Sequence, residues 1–141
     1  MYTNLLKAPE EGLTHLFYYC CMKDGVFKES ELDNISAKLV SVHLHKKLNF
    51  KDEMQKFKEY RNQVTDEKAY LHYLISLIKP VSELALFSWC VELCVSDADL
   101  SLEEASLLDN IAAELKITPG EKDTVQKLMV QRRVVEMEKI F

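Results

Sequence analysis

One pattern occurs twice in this chain, 73 positions apart, and it limits the folds open to the sequence. An apolar run over residues 13–22 leads into Lys23-Asp24-Gly25-Val26-Phe27-Lys28-Glu29-Ser30-Glu31. A second apolar run, over residues 86–95, leads into Ser96-Asp97-Ala98-Asp99-Leu100-Ser101-Leu102-Glu103-Glu104. In each copy a cysteine (Cys21, Cys94) stands three residues before an aspartate (Asp24, Asp97), and a glutamate (Glu31, Glu104) follows seven residues after it. An Asp-Asn-Ile triplet recurs at 33–35 and 109–111, out of register with the rest of the repeat. The chain therefore reads as two related units, each an apolar helix, an acidic turn and a second helix.

The spacing of apolar residues gives the remaining elements. Pro9 suits a first helical turn, and residues 9–23 carry a buried-type stripe at Leu13, Leu16, Phe17, Cys20 and Cys21. Asp24-Gly25 ends that helix, since glycine takes the left-handed conformation that closes helices. Helices are then expected over residues 28–47, with Leu32, Ile35, Leu39 and Val42 inward, and over 50–62, capped by Asn49. The lysines of the 50–62 segment place it at the periphery. The next helix starts near Thr65 and Asp66 and ends before Pro80. Residues 81–96 are apolar nearly all round, with only Ser82, Glu83, Ser88 and Glu92 suited to water, so this is the expected central helix together with 9–23. Ser101-x-x-Glu104 is a capping box opening a helix over 101–116, and Thr118-Pro119-Gly120-Glu121 opens the last, with Val125, Leu128 and Met129 inward. Residues 1–8 read as a lead-in. With three glycines and three prolines the chain has little turn material for short strands. The expectation is a single all-α domain over residues 1–141, of about seven helices, with a pseudo-two-fold duplication of units near 9–62 and 81–138.

The acidic turn Asp24-Gly25-Val26-Phe27-x-x-x-Glu31 resembles that of the TerB-like family, which reads roughly Ala-Asp-Gly-x-apolar-x-x-x-Glu before an apolar helix. The second copy, Asp97-Ala98-Asp99-Leu100-Ser101-x-x-Glu104 followed by Leu107, Leu108, Ile111, Leu115 and Ile117, is similar over a longer stretch. The resemblance implies an all-helical cytoplasmic domain linked to tellurite and other chemical-stress resistance, with the acidic turns as a divalent-metal or partner site. The residues so implicated are Asp24, Glu31, Asp97, Asp99 and Glu104. Two positions differ from the pattern: Ala98 replaces the second glycine, and Lys23 stands where a small residue usually precedes the first aspartate.

Physical chemistry leaves two readings of these carboxylates open. Hard divalent cations prefer carboxylate oxygens. A carboxylate in a first helical turn is also stabilised by the helix dipole, and Glu104 is accounted for by its capping box. An EF-hand is excluded, because Leu102 and Leu108 stand where that loop needs glycine and glutamate. Cys20, Cys21, Cys90 and Cys94 read as buried thiols rather than disulfides or a zinc site, and His15, His43, His45 and His72 as surface or half-buried residues. No nucleophile elbow, phosphate loop or dinucleotide fingerprint is present. A net charge of −5 argues against nucleic acid, and no apolar run reaches the ~20 residues that span a bilayer. The N-terminus has neither the basic start nor the apolar core of a signal peptide, so the expected compartment is the cytoplasm. Two functional classes fit: a non-catalytic module that binds protein partners, with or without a divalent cation, and a small metal-dependent enzyme or metal buffer built on the paired turns.

Overall fold

The architecture comes from a computed structural model. It describes residues 1–23, 29–95, 100–138 and 140, with side chains except at positions 29–31 and 45. Every regular element among these residues is helical: α1 (Tyr2–Leu5), α2 (Pro9–Cys21), α3 (Glu29–Ser41), α4 (Phe50–Tyr60), α5 (Glu67–Ile78), α6 (Glu83–Cys94), α7 (Leu102–Leu115) and α8 (Pro119–Met137). Short 3-10 turns follow α3 at Leu44–Lys46 and α4 at Arg61–Gln63. None of the described helices is long and apolar enough to cross a membrane.

The helix starts follow local chemistry. Asn49 accepts from the amides of Lys51 and Asp52, Asp66 from Ala69, and Ser82 from Ala85. Ser101 with Glu104, and Thr118 with Glu121, form reciprocal capping boxes. The helix ends use a less common device. His43, Lys79 and Lys116 all take positive φ, of 64°, 49° and 57°. At α3, α5 and α7 a chain with few glycines uses histidine or lysine in the left-handed conformation that glycine takes most readily. At His43 this corrects the sequence expectation: the helix predicted over 28–47 stops at Ser41, and Val42 is left exposed rather than buried.

α2 is the hub. It packs against α3, α4, α5 and α6, and it buries Gly12, Thr14, His15, Leu16, Phe17, Tyr18, Cys20 and Cys21. α6 is the second centre, packed against α2, α3, α7 and α8, with Phe87 and Cys94 buried as expected. Its first turn protrudes, leaving Leu84 exposed, so its apolar surface is covered only from Leu86 onward. The residues read as a lead-in form α1, anchored where Tyr73 donates to the Leu6 carbonyl at 2.6 Å; Leu6 is fully buried. α4 is not peripheral. Lysines cover its outer side, but Glu53, Phe57 and Tyr60 are buried against α2.

α2 and α5 approach closely at Gly12. A side-chain carbon there would lie 3.1 Å from the Leu74 carbonyl oxygen and 3.1 Å from Leu77 Cβ, so absence of a side chain lets α2 and α5 meet backbone to side chain. Gly12→Val is expected to push α5 away and cost about 1–3 kcal/mol, measured by urea unfolding. A neutral result would mean that this crossing is not tightly packed.

Candidate functional site

α2 and α6 lie side by side and run in the same direction. The Phe17 and Trp89 rings stand 5.8 Å apart, and one turn further on Cys94 Sγ donates to the Cys20 carbonyl at 3.9 Å. The Cys20 thiol also bonds with the Cys90 and Cys94 thiols, so the two cysteine pairs converge at the ends of the helices. The Cys90 contact and burial push the Cys20 thiol well above its ordinary range, against an opposing pull from Cys94. The Cys20 thiol is therefore a protonated packing group. All four cysteines are buried thiols outside any disulfide, as the sequence indicated. Among the described residues no three of His, Cys, Asp and Glu are placed to hold a metal ion.

The helices that precede the two acidic segments therefore end beside one another, at Cys21 and Cys94. Of the residues implicated by sequence, Asp24, Asp97 and Asp99 lie outside the described residues. Glu31 lies in α3, and its side chain is likewise outside the description. Glu104 is described: it is 7% exposed, its carboxylate accepts from the Ser101 amide at 3.0 Å, and its own amide donates to Ser101 Oγ at 3.1 Å. This carboxylate does the work of a helix cap.

Lys23, the cation just before the first acidic turn, is engaged by Glu67 of α5. Glu67 also accepts from the Tyr19 hydroxyl at 2.6 Å and from Asn110 Nδ2 at 2.8 Å, tying α2, α5 and α7 together. Burial alone would raise the Glu67 carboxyl; the bonds from Lys23, Tyr19 and Asn110 outweigh it and hold the group below its usual value. Lys38 makes a similar brace, bonding Glu92 at 2.8 Å above the Trp89 ring and joining α3 to α6. A cavity of about 180 Å³ opens beside Lys23, with Arg61 and Asn62 on its polar side.

The strongest polar constellation in the core is one that sequence reasoning missed. His15 is fully buried. Its Nδ1 lies 2.8 Å from the Tyr60 hydroxyl and its Nε2 3.0 Å from Glu53 Oε1, and the Tyr60 and Tyr70 hydroxyls are 2.5 Å apart. Glu53 accepts a second bond from Lys56 at 3.0 Å, and Lys56 reaches Glu11 at 3.4 Å. Counting protons fixes the direction of the chain. A carboxylate only accepts, so Nε2–H donates to Glu53; Nδ1 then accepts from Tyr60, which accepts from Tyr70. Burial lowers the proton affinity of His15 more than the Glu53 bond and charge raise it, so the ring is neutral at pH 7. The order carboxylate, imidazole, hydroxyl is that of an acid–base relay. With no exposed atom at His15, it serves here to satisfy polar groups inside the helix packing.

The depressed His15 value carries a pH dependence. The unfolded chain binds a proton near the ordinary histidine value of about 6.5, and the folded chain resists it, so the contribution of this site is complete above that value and is lost as pH falls below it. Unfolding midpoints in urea are expected to drop between pH 7.5 and pH 5. His15→Gln is expected to be less stable at pH 7.5 and to lose less over the same interval. An equal loss in the two proteins would remove His15 as the source.

No protein-family model, curated protein or solved structure matches the chain.

Proposed function

We propose that the chain is a TerB-like helical module, non-catalytic and cytoplasmic, whose two acidic turns form one recognition surface for protein partners in a chemical-stress response of the tellurite-resistance type. A divalent cation bridging turn and partner is part of the proposal, held by Asp24, Glu31, Asp97 and Asp99, with Glu104 alongside. The observation that carries the reading is the convergence of α2 and α6: the helices from which both turns depart are parallel and in contact at their C-terminal ends.

The internal duplication belongs to the same proposal and has its own support. α2 and α6 end 73 positions apart, at Cys21 and Cys94, and α3 and α7 begin 73 positions apart, at Glu29 and Leu102. Their surroundings match too, since α2 packs with α3 and α4 while α6 packs with α7 and α8. Under this reading α1 and α5, the latter packed against α2 and α7, are the helices without a counterpart. Carboxylates held at the ends of packed helices keep their geometry when a ligand arrives, which lowers the ordering cost of binding. A cation completed by water would bind weakly in such a site.

The test is a pair of double variants, Asp24→Asn with Glu31→Gln and Asp97→Asn with Glu104→Gln. Glutamine preserves a capping box, so both proteins are expected to melt close to the parent. Calorimetry with Ca²⁺, Mg²⁺, Mn²⁺ and Zn²⁺ is expected to show heat in the parent that both variants lose. Variants that unfold early while retaining every binding heat would make the turns structural caps alone. Metal-dependent turnover of any substrate would instead favour a small metalloenzyme.

A further inference from the structure

The cavity of about 180 Å³ beside Lys23 is bordered by more positive charge than its surroundings balance. Lys23, just past the end of α2, and Arg61, at the start of the 3-10 turn after α4, both line it. Lys23 pairs with Glu67 and gives a second bond to the Tyr19 hydroxyl, so one of its three N–H donors is left over among the described residues. Arg61 is half-buried and has no carboxylate partner among the described residues. Its guanidinium carbon lies 6.0 Å from the centre of the Phe57 ring, and its terminal nitrogens reach Met22 at 3.7 Å to the sulfur and 3.5 Å to the carbonyl oxygen. Both contacts are long, and they leave most of the guanidinium donors open. The Asn62 amide, next in the same turn, also lines the cavity and makes no hydrogen bond among the described residues.

Part of this charge answers the carbonyl end of α2, where cations are favourable. That role needs no cavity between the cations and no open donors. Charge and shape give the class of ligand. Lys23 and Glu67 offset each other, so the cavity keeps the single charge of Arg61. A planar guanidinium offers parallel N–H pairs that match the two oxygens of a carboxylate. A phosphate dianion would bring one charge too many beside Glu67. The chain as a whole is acidic, with net charge −5, so no general field draws anions to it and capture depends on these local donors. The volume is below the ~300–1,000 Å³ of ordinary ligand pockets, which admits a carboxylate with little attached. We infer that this cavity binds one carboxylate group, from a small free acid or from a peptide end, through Arg61, with Lys23 and Asn62 as further donors. The site does not rest on metal binding by the acidic turns.

NMR titration of the full chain with acetate, N-acetylglycine and neutral acetamide tests this. Acetate represents a free acid and N-acetylglycine a peptide end. Each anion is expected to shift the Arg61 Nε–H and Asn62 side-chain amide signals along a saturating curve, with a dissociation constant on the order of millimolar for so small a group. The tighter of the two names the source. Acetamide is expected to leave both signals in place, and inorganic phosphate at pH 7.5 to bind more weakly than acetate. Arg61→Gln is expected to weaken acetate binding by about tenfold or more. Asn62→Ala, at an exposed position, is expected to keep the fold and weaken binding to a lesser degree. If Arg61→Gln disturbs the fold, the parent's response to acetate against acetamide decides. Shifts that never saturate, equal shifts with acetamide, tighter binding of phosphate, or a folded Arg61→Gln that binds like the parent would each overturn the inference. So would binding that appears only in Asp24→Asn, which would make Asp24 the standing partner of Arg61.

Discussion

The bond between His15 and Glu53 sets terms for the rest of this structure. α2 is packed on several sides, and a histidine at its centre has no water to satisfy it. An unpaired polar group in that position would cost several kcal/mol. The fold answers by bringing Glu53 and Tyr60 from α4 and Tyr70 from α5 to the same point. Lys56 then balances the carboxylate from the solvent side. α4 is thus fixed to α2 by directional bonds as well as by Phe57, and a helix that looks solvated becomes part of the core. α1 lies over the same group, its Tyr2 ring 4.8 Å from Tyr70.

With the middle of α2 held in this way, its C-terminal end is held by α6. Small thiols at Cys20, Cys90 and Cys94 let the two helices approach closely. Around that contact Glu67 joins α2, α5 and α7, and Lys38 with Glu92 joins α3 to α6. These partly buried braces surround the helix ends that lead into both acidic turns.

Much of the helical architecture was legible because it is encoded locally. Pro9 marks a helix start through its fixed φ, Asn49, Asp66, Ser101 and Thr118 do so through bonds made within a few residues, and the apolar coverage of α2 and α6 identifies the two central helices. The relay was not legible. His15 and Glu53 stand 38 positions apart and His15 and Tyr60 stand 45 apart, with no motif linking them. The three-and-four periodicity of α4 reports apolar residues, so a buried glutamate reads as part of its charged face. Leu128 failed for a related reason: spacing placed it with Val125, but α8 turns it outward, where it is 58% exposed. The early end of α3 depends on a left-handed histidine, His43, which nothing in the helix-forming pattern announces. For the candidate site, the capping half of Glu104 was readable from Ser101-x-x-Glu104, whereas the engagement of Lys23 by Glu67 joins residues 44 positions apart.

The protonation state of His15 decides whether a neutral relay or a buried ion pair holds α2 to α4. Nitrogen chemical shifts of its imidazole, followed by NMR across pH in the folded protein, report it directly. The account predicts a single neutral tautomer with the proton on Nε2 at pH 7, persisting below the ordinary histidine value of about 6.5. A doubly protonated ring at pH 7, or a proton on Nδ1, would contradict it.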